Sequence, residues 1–161
     1  MKVRILLLGL TLLTTAAVAE EVAYNGRTLE VAADQDARPI QRVQGSRYAI
    51  SLSPADTITK AQGCLAAQNG VTVVSADPAS GQLQALAEFA YRARFTNHTV
   101  QSQWQLVATD GGFQITESAL TVTTPGGDGG SKPLAQQEAG WEKSLDALIA
   151  GENALVDCLY R

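Results

Sequence analysis

Residues Leu83–Phe95 alternate without a break in period. Leu83, Ala85, Ala87, Phe89, Tyr91, Ala93 and Phe95 share one parity; Gln82, Gln84, Leu86, Glu88, Ala90, Arg92 and Arg94 share the other. A period of two over this length is incompatible with a helix and describes a strand with one face on a core. The preceding run, Val71–Ala76, is β-branched, and Asp77-Pro78-Ala79-Ser80-Gly81 between them supplies turn residues. After a polar Thr96-Asn97-His98 turn the alternation resumes. Val100, Ser102, Trp104, Leu106 and Ala108 oppose Gln101, Gln103, Gln105 and Val107. Asp110-Gly111-Gly112 then turns the chain into Phe113–Thr123. Phe113 and Ile115 have one parity and Leu120 and Val122 the other, so a bulge is expected near Glu117-Ser118.

A strand, Arg47–Leu52, precedes this meander and runs into a helix start. Ser53 is the N-cap, Pro54 occupies the first turn and Asp56 stands at the capping-box position. The helix is expected to reach about Gln68, with Asn69-Gly70 as its stop. Residues Pro125–Pro133 read as a flexible linker, and Leu134–Tyr160 as a second helix, with Gly140 and Gly151 as points of weakness. Glu20–Gln44 is less legible. Asn25-Gly26 is a good hairpin pair, and the segment is expected as an N-terminal arm over residues 20–46, ahead of a domain at 47–161.

Residues 1–19 read as a secretory signal peptide. Lys2 and Arg4 form a positive start, Ile5–Leu13 a short apolar run, and Ala17-Val18-Ala19 a small-residue cleavage site. The competing reading, a transmembrane anchor, needs about 20 apolar residues. The expected location is therefore outside the cytoplasm, periplasmic or secreted, with no membrane insertion after cleavage. Loss of Lys2 and Arg4 takes the net charge from −4 to about −6. That balance disfavours nucleic acid and nonspecific adsorption to anionic membranes.

Cys64 and Cys158 are the two cysteines. An oxidising compartment favours a disulfide between them, against the reading of two buried free thiols. It requires both helices to lie side by side on one sheet face. With one histidine, His98, a four-ligand Cys/His zinc site is excluded on inventory, and no metal or cofactor is expected.

The helix Ala55–Gln68, the hairpin VVSADPASGQLQA at 73–85 and the turn-strand TDGGFQITESALTV at 109–122 resemble a bacterial family of unknown function with a TATA-binding-protein-like fold. The resemblance implies a curved antiparallel sheet with helices on one face, and no activity. DNA binding does not follow from the fold's name.

The expected fold is α+β: a single antiparallel sheet of four to five meandering strands with two helices packed on one face. No catalytic residue is assigned. A candidate binding face comprises Gln82, Gln84, Glu88, Arg92, Arg94, Gln103 and Gln105. The function expected is a non-catalytic binding or envelope-associated accessory role, toward a protein, peptide or glycan. The alternatives are a hydrolytic enzyme using Glu88 or Glu117, and a structural subunit that self-associates by a sheet edge.

Overall fold

The computed structural model describes residues 19–126 and 130–161. The signal-peptide reading therefore lies outside the described residues, except for Ala19, and so does the middle of the Pro125–Pro133 linker. The elements are β1 (Ala19–Tyr24), β2 (Arg27–Ala32), β3 (Ile40–Ala49), α1 (Pro54–Ala66), β4 (Val71–Asp77), β5 (Gln82–Ala93), β6 (Thr96–Thr109), β7 (Gly112–Thr123), β8 (Lys132–Pro133) and α2 (Trp141–Tyr160).

The sheet holds eight strands, not four to five. Its order is β1-β2-β3-β7-β6-β5-β4, with β8 pairing β7. The described strands beyond the expected five are β1 and β2, from the expected arm, and β8, from the expected linker; β3 continues the strand expected from Arg47 back to Ile40. Residues 19–49 are part of the same sheet. They form three antiparallel strands that extend the sheet in its own plane, and β3 pairs with β7 from Arg42↔Ser118 to Ala49↔Gly112. Asn25 and Gly26 both take positive φ, 45° and 76°, as the two-residue turn between β1 and β2 needs. Where β3 ends, β8 takes over the β7 edge, and the amide of Ile40 donates to the carbonyl of Leu134.

β5 and β6 form as their alternation dictates. Leu83, Ala85, Ala87, Val100, Ser102, Trp104 and Leu106 are buried, and the residues that alternate with them in β5 and in β6 from Gln101 onward are exposed. The period breaks earlier than the sequence implies. Ala93 pairs with Thr96, so the turn is Arg94-Phe95 and Thr96-Asn97-His98 belongs to β6. Phe95 is thus no core residue; it is 92% exposed. The expected bulge in β7 falls one to two residues late. Gln101 faces Thr121 and Gln103 faces Ser118, and Ala119 takes φ 51° in the extra space.

α1 starts as read. Ser53 accepts from the Asp56 amide at 3.1 Å, a cap of about 1 kcal/mol. α2 starts later than the periodicity implied. Leu134 and Ala135 are buried in extended chain, and Gly140 at φ 89° turns into the helix. Gly151 neither kinks nor splits α2. A Cβ there would stand 2.3 Å from the Phe89 ring, so the glycine sets the close approach of helix and sheet. Both helices cover one face of the sheet, and Cys64 and Cys158 form a disulfide between them, with Cα atoms 6.0 Å apart.

Candidate functional site

The face without helices is built from cross-strand rows. One row runs Ser75, Gln84, Gln105, Thr116, Gln44, Thr28 across β4, β5, β6, β7, β3 and β2. Its neighbour runs Thr72, Leu86, Gln103, Ser118, Arg42, Glu30. Directly opposed residues on adjacent strands point the same way, about 5 Å apart, so each row is a ladder of side chains. Gln82 stands in a third row, between Asp77 and Val107. Residues 19–49 do not cover this face; they widen it.

A bulge in β4 leaves Val74 without a partner, between Val73↔Ala85 and Ser75↔Gln84, and Val74 is 59% exposed. It walls a shallow depression of about 310 Å³ with Gln84, Leu86, Gln103, Gln105 and Ser118. A second hollow of about 210 Å³, with Glu88, Gln101 and Thr121, shares Leu86 and Gln103 with it. The Gln101 amide donates to Glu88 at 2.6 Å. The trough therefore has an apolar spot, Val74 and Leu86, rimmed by amides that both donate and accept. Of the residues expected here, Gln82, Gln84, Glu88, Arg92, Gln103 and Gln105 lie on this face. Arg94 does not: it occupies the β5–β6 turn, with φ 49°.

Glu117 points the other way. It lies opposite Val43 and Trp104 on the helix-covered side and is 1% exposed. Ser102 Oγ donates to its Oε2 at 2.9 Å, and Trp104 Nε1 donates to Ser102 Oγ at 3.0 Å. Its Oε1 is buried without a partner among the described residues. Close by, Glu152 of α2, also 1% exposed, accepts from Tyr48 Oη at 2.9 Å and from Arg27 Nε at 3.3 Å. Desolvation, and then the charge of Glu152, push the Glu117 carboxyl up to about 8; hydrogen bonds from Ser102 and Trp104, and the charge of Arg27, oppose this. The shift favours the protonated, neutral form of Glu117 over its carboxylate. Gly45 makes room for the cluster, since a Cβ there would meet Glu152 Oε1 at 2.8 Å and the Ile115 carbonyl at 2.9 Å.

Sequence reasoning missed the gathering of Arg27, Tyr48 and Glu152. One signal was present: Glu152 sits in the apolar stripe of α2, between Leu148 and Leu155. Glu88 and Glu117 lie on opposite faces of the sheet, so they cannot flank one scissile bond. His98 is a strand residue, stacked on Tyr91 with centroids 5.2 Å apart and bonded to Thr124 Oγ1 at 2.9 Å. Among the described residues, no three His, Cys, Asp or Glu side chains are grouped to hold a metal ion. No described helix is long and apolar enough to cross a membrane.

No protein-family model matches the chain, and no curated protein matches it in sequence. Solved structures do match in shape. A TBP-like protein from Parabacteroides distasonis aligns with a TM-score of 0.60 at 9% identity, over 87% of this chain and 97% of that one. A DUF4468 family protein from Bacteroides ovatus aligns with a TM-score of 0.57 at 10% identity, over 86% and 90%. At such identities the likeness is one of fold. The TBP-like fold implied by the sequence resemblance is present.

Proposed function

We propose that this protein is an exported, envelope-associated binding module with no catalytic role, and that it presents the helix-free sheet face to its partner. One observation carries the reading: two adjacent ladders of polar side chains meet at a trough with an apolar spot, and no element among the described residues covers it. Glutamine amides supply donors and acceptors without charge. They suit a partner rich in the same groups, an extended peptide or a glycan. The acidic net balance and the disulfide fit an exported chain. The hydrolytic alternative loses its paired carboxylates, because Glu88 is exposed and Glu117 is buried on the far side.

Retention of the purified protein on cell-envelope fragments tests this reading. A Gln84→Glu/Gln103→Glu variant is expected to lose retention while keeping its thermal transition. Equal retention of parent and variant, or none of either, would overturn it.

A second reading has an observation of its own. The β4 edge, Val71–Asp77, carries no proline and no charge before its last residue, Asp77, whereas the β1 edge carries Glu20 and Glu21. Uncharged edges pair readily. Self-association through β4 predicts an elution volume that shifts with protein concentration and stops shifting in Thr72→Lys.

A further inference from the structure

The β5–β6 hairpin ends in a turn that its residues do not favour. Arg94 and Phe95 both hold left-handed backbone, φ 49° and 67°. The equivalent two-residue turn between β1 and β2 uses Asn25 and Gly26, which accept positive φ with little or no strain. Bulky side chains at such angles are uncommon and strained, and strain of this kind gathers at functional sites. Nothing inside the fold repays it. Phe95 is 92% exposed, the most exposed large apolar residue described.

The tip also projects. β4 pairs β5 only as far as Ala87, and β7 pairs β6 only from Thr99. Beyond those points β5 and β6 run on as a two-stranded finger. On the covered side Gly140 packs on Ala93, the residue before the turn, and Tyr91 stacks on His98, so the part that stands clear is the turn itself, Arg94-Phe95. Arg92 and Arg94 flank the phenylalanine. The ion pairs among the described residues join Arg27, Arg38, Arg42 and Lys143 to acids and leave these two arginines out. No acid stands between Glu88 and Asp110 in the sequence. In a chain that is acidic overall, this is an apolar tip with two arginines next to it in sequence; on the covered side of the finger Glu138 is close enough for its charge to act on Tyr91.

We propose that the β5–β6 tip is a peripheral docking point for an anionic lipid surface. Phe95 enters the interfacial region, and Arg92 and Arg94 meet the headgroups. An aromatic ring suits the interface, and basic side chains beside it are drawn to anionic headgroups. The acidity of the rest of the chain repels other approaches, so contact is tip-first. One aromatic and two arginines make this contact weak and reversible, not an anchor. The proposal is independent of any use of the open face.

The test is vesicle co-sedimentation of the full chain with 70:30 phosphatidylethanolamine:phosphatidylglycerol vesicles and with neutral phosphatidylcholine vesicles. Ile5–Leu13 is common to every variant, so the readout is the difference between parent and variant. Bound fraction is expected to be higher on the anionic vesicles. It should fall about tenfold or more in Phe95→Ser and in Arg92→Glu/Arg94→Glu, a loss of order 1.4 kcal/mol per tenfold. In Phe95→Trp the emission should shift to the blue on anionic vesicles only. Arg94→Asn/Phe95→Gly should lose the binding and melt higher than the parent, because it removes the strain. Binding that Phe95→Ser leaves unchanged, equal binding to neutral vesicles, or no difference from the Asn-Gly variant overturns the proposal. A lower melting temperature for the Asn-Gly variant removes the strain argument and overturns it as well.

Discussion

The two faces of this sheet share strands and backbone but solve opposite problems. The covered face holds the apolar core, Leu83, Trp104, Leu106, Phe113 and Ile115 among it, and within that core a carboxyl, a carboxylate and a guanidinium. The open face keeps glutamines in ladders over the same strands and buries almost nothing. On the covered side each polar atom needs a specific partner, because water is absent. On the open side water supplies partners, and a side chain is free to exchange it for a ligand. Substitutions on the covered face should therefore act on stability, and those on the open face on binding.

The largest effect is expected at Arg27. Its side chain is 8% exposed and pairs with a Glu152 that is 1% exposed. Arg27→Met leaves that carboxylate buried and unpaired, at roughly 3–5 kcal/mol. Chemical denaturation at pH 7 measures it; a loss below about 1 kcal/mol would mean that water reaches Glu152.

Removing the disulfide with Cys64→Ser/Cys158→Ser comes next. The bridge spans 94 residues of sequence, and its loss is expected to destabilise by about 2–4 kcal/mol. Reduction and alkylation of the parent should give a mass change for two thiols only after the reductant is added.

Glu117→Gln separates the faces by pH. A carboxyl raised to about 8 when folded binds a proton that the unfolded chain releases near pH 4.5. Stability from this group is therefore full below pH 4.5 and falls as pH rises toward 8. The glutamine variant does not titrate. Its melting temperature should exceed the parent's by an amount that grows from pH 4.5 to pH 8 and then levels off. A constant difference across that range would show Glu117 to be ionised throughout.

The smallest effect is on the open face. Gln84→Ala/Gln105→Ala is expected to change stability by under about 0.5 kcal/mol per site, as exposed positions do. A loss several times larger would mean that the ladders hold the sheet and are not a presented surface.

Much of this fold is legible because its signals are local. The β5 and β6 alternation, the Ser53-Pro54-Asp56 helix start and the Asn25-Gly26 turn need only neighbours in sequence. The cysteine pair was legible for a different reason, since composition and compartment leave few options for two cysteines. β1 and β2 were legible only through their Asn25-Gly26 turn, and β3 only over its last residues, Arg47–Ala49. Val22 and Tyr24 are the only residues of β1 that are even half-buried, and β3 finds β7 some seventy residues away. The start of α2 was obscured because Leu134 and Ala135 are as apolar as helix residues, but they are buried as extended chain beside Ile40. Of the candidate face, the six residues whose side follows from parity lie on the helix-free side of the sheet. Arg94 was not, because Arg-Phe carries no turn chemistry and the alternation continues through Phe95.

By itself, the sequence determined which side chains share a face, because a strand's period of two depends on nothing beyond its backbone. It also determined where the first helix starts, because a cap bonds within four residues. Tertiary structure decided the rest. It decided that the sheet has eight strands, because backbone groups of β1–β3 are satisfied only by pairing with partners. It decided that Glu117 and Glu152 come close enough for their charges to interact, because that happens only once α2 lies across the sheet. And it decided that Phe95 points away from the core, because the β5–β6 turn falls at Arg94-Phe95, past the last strand pair and beyond the ends of β4 and β7.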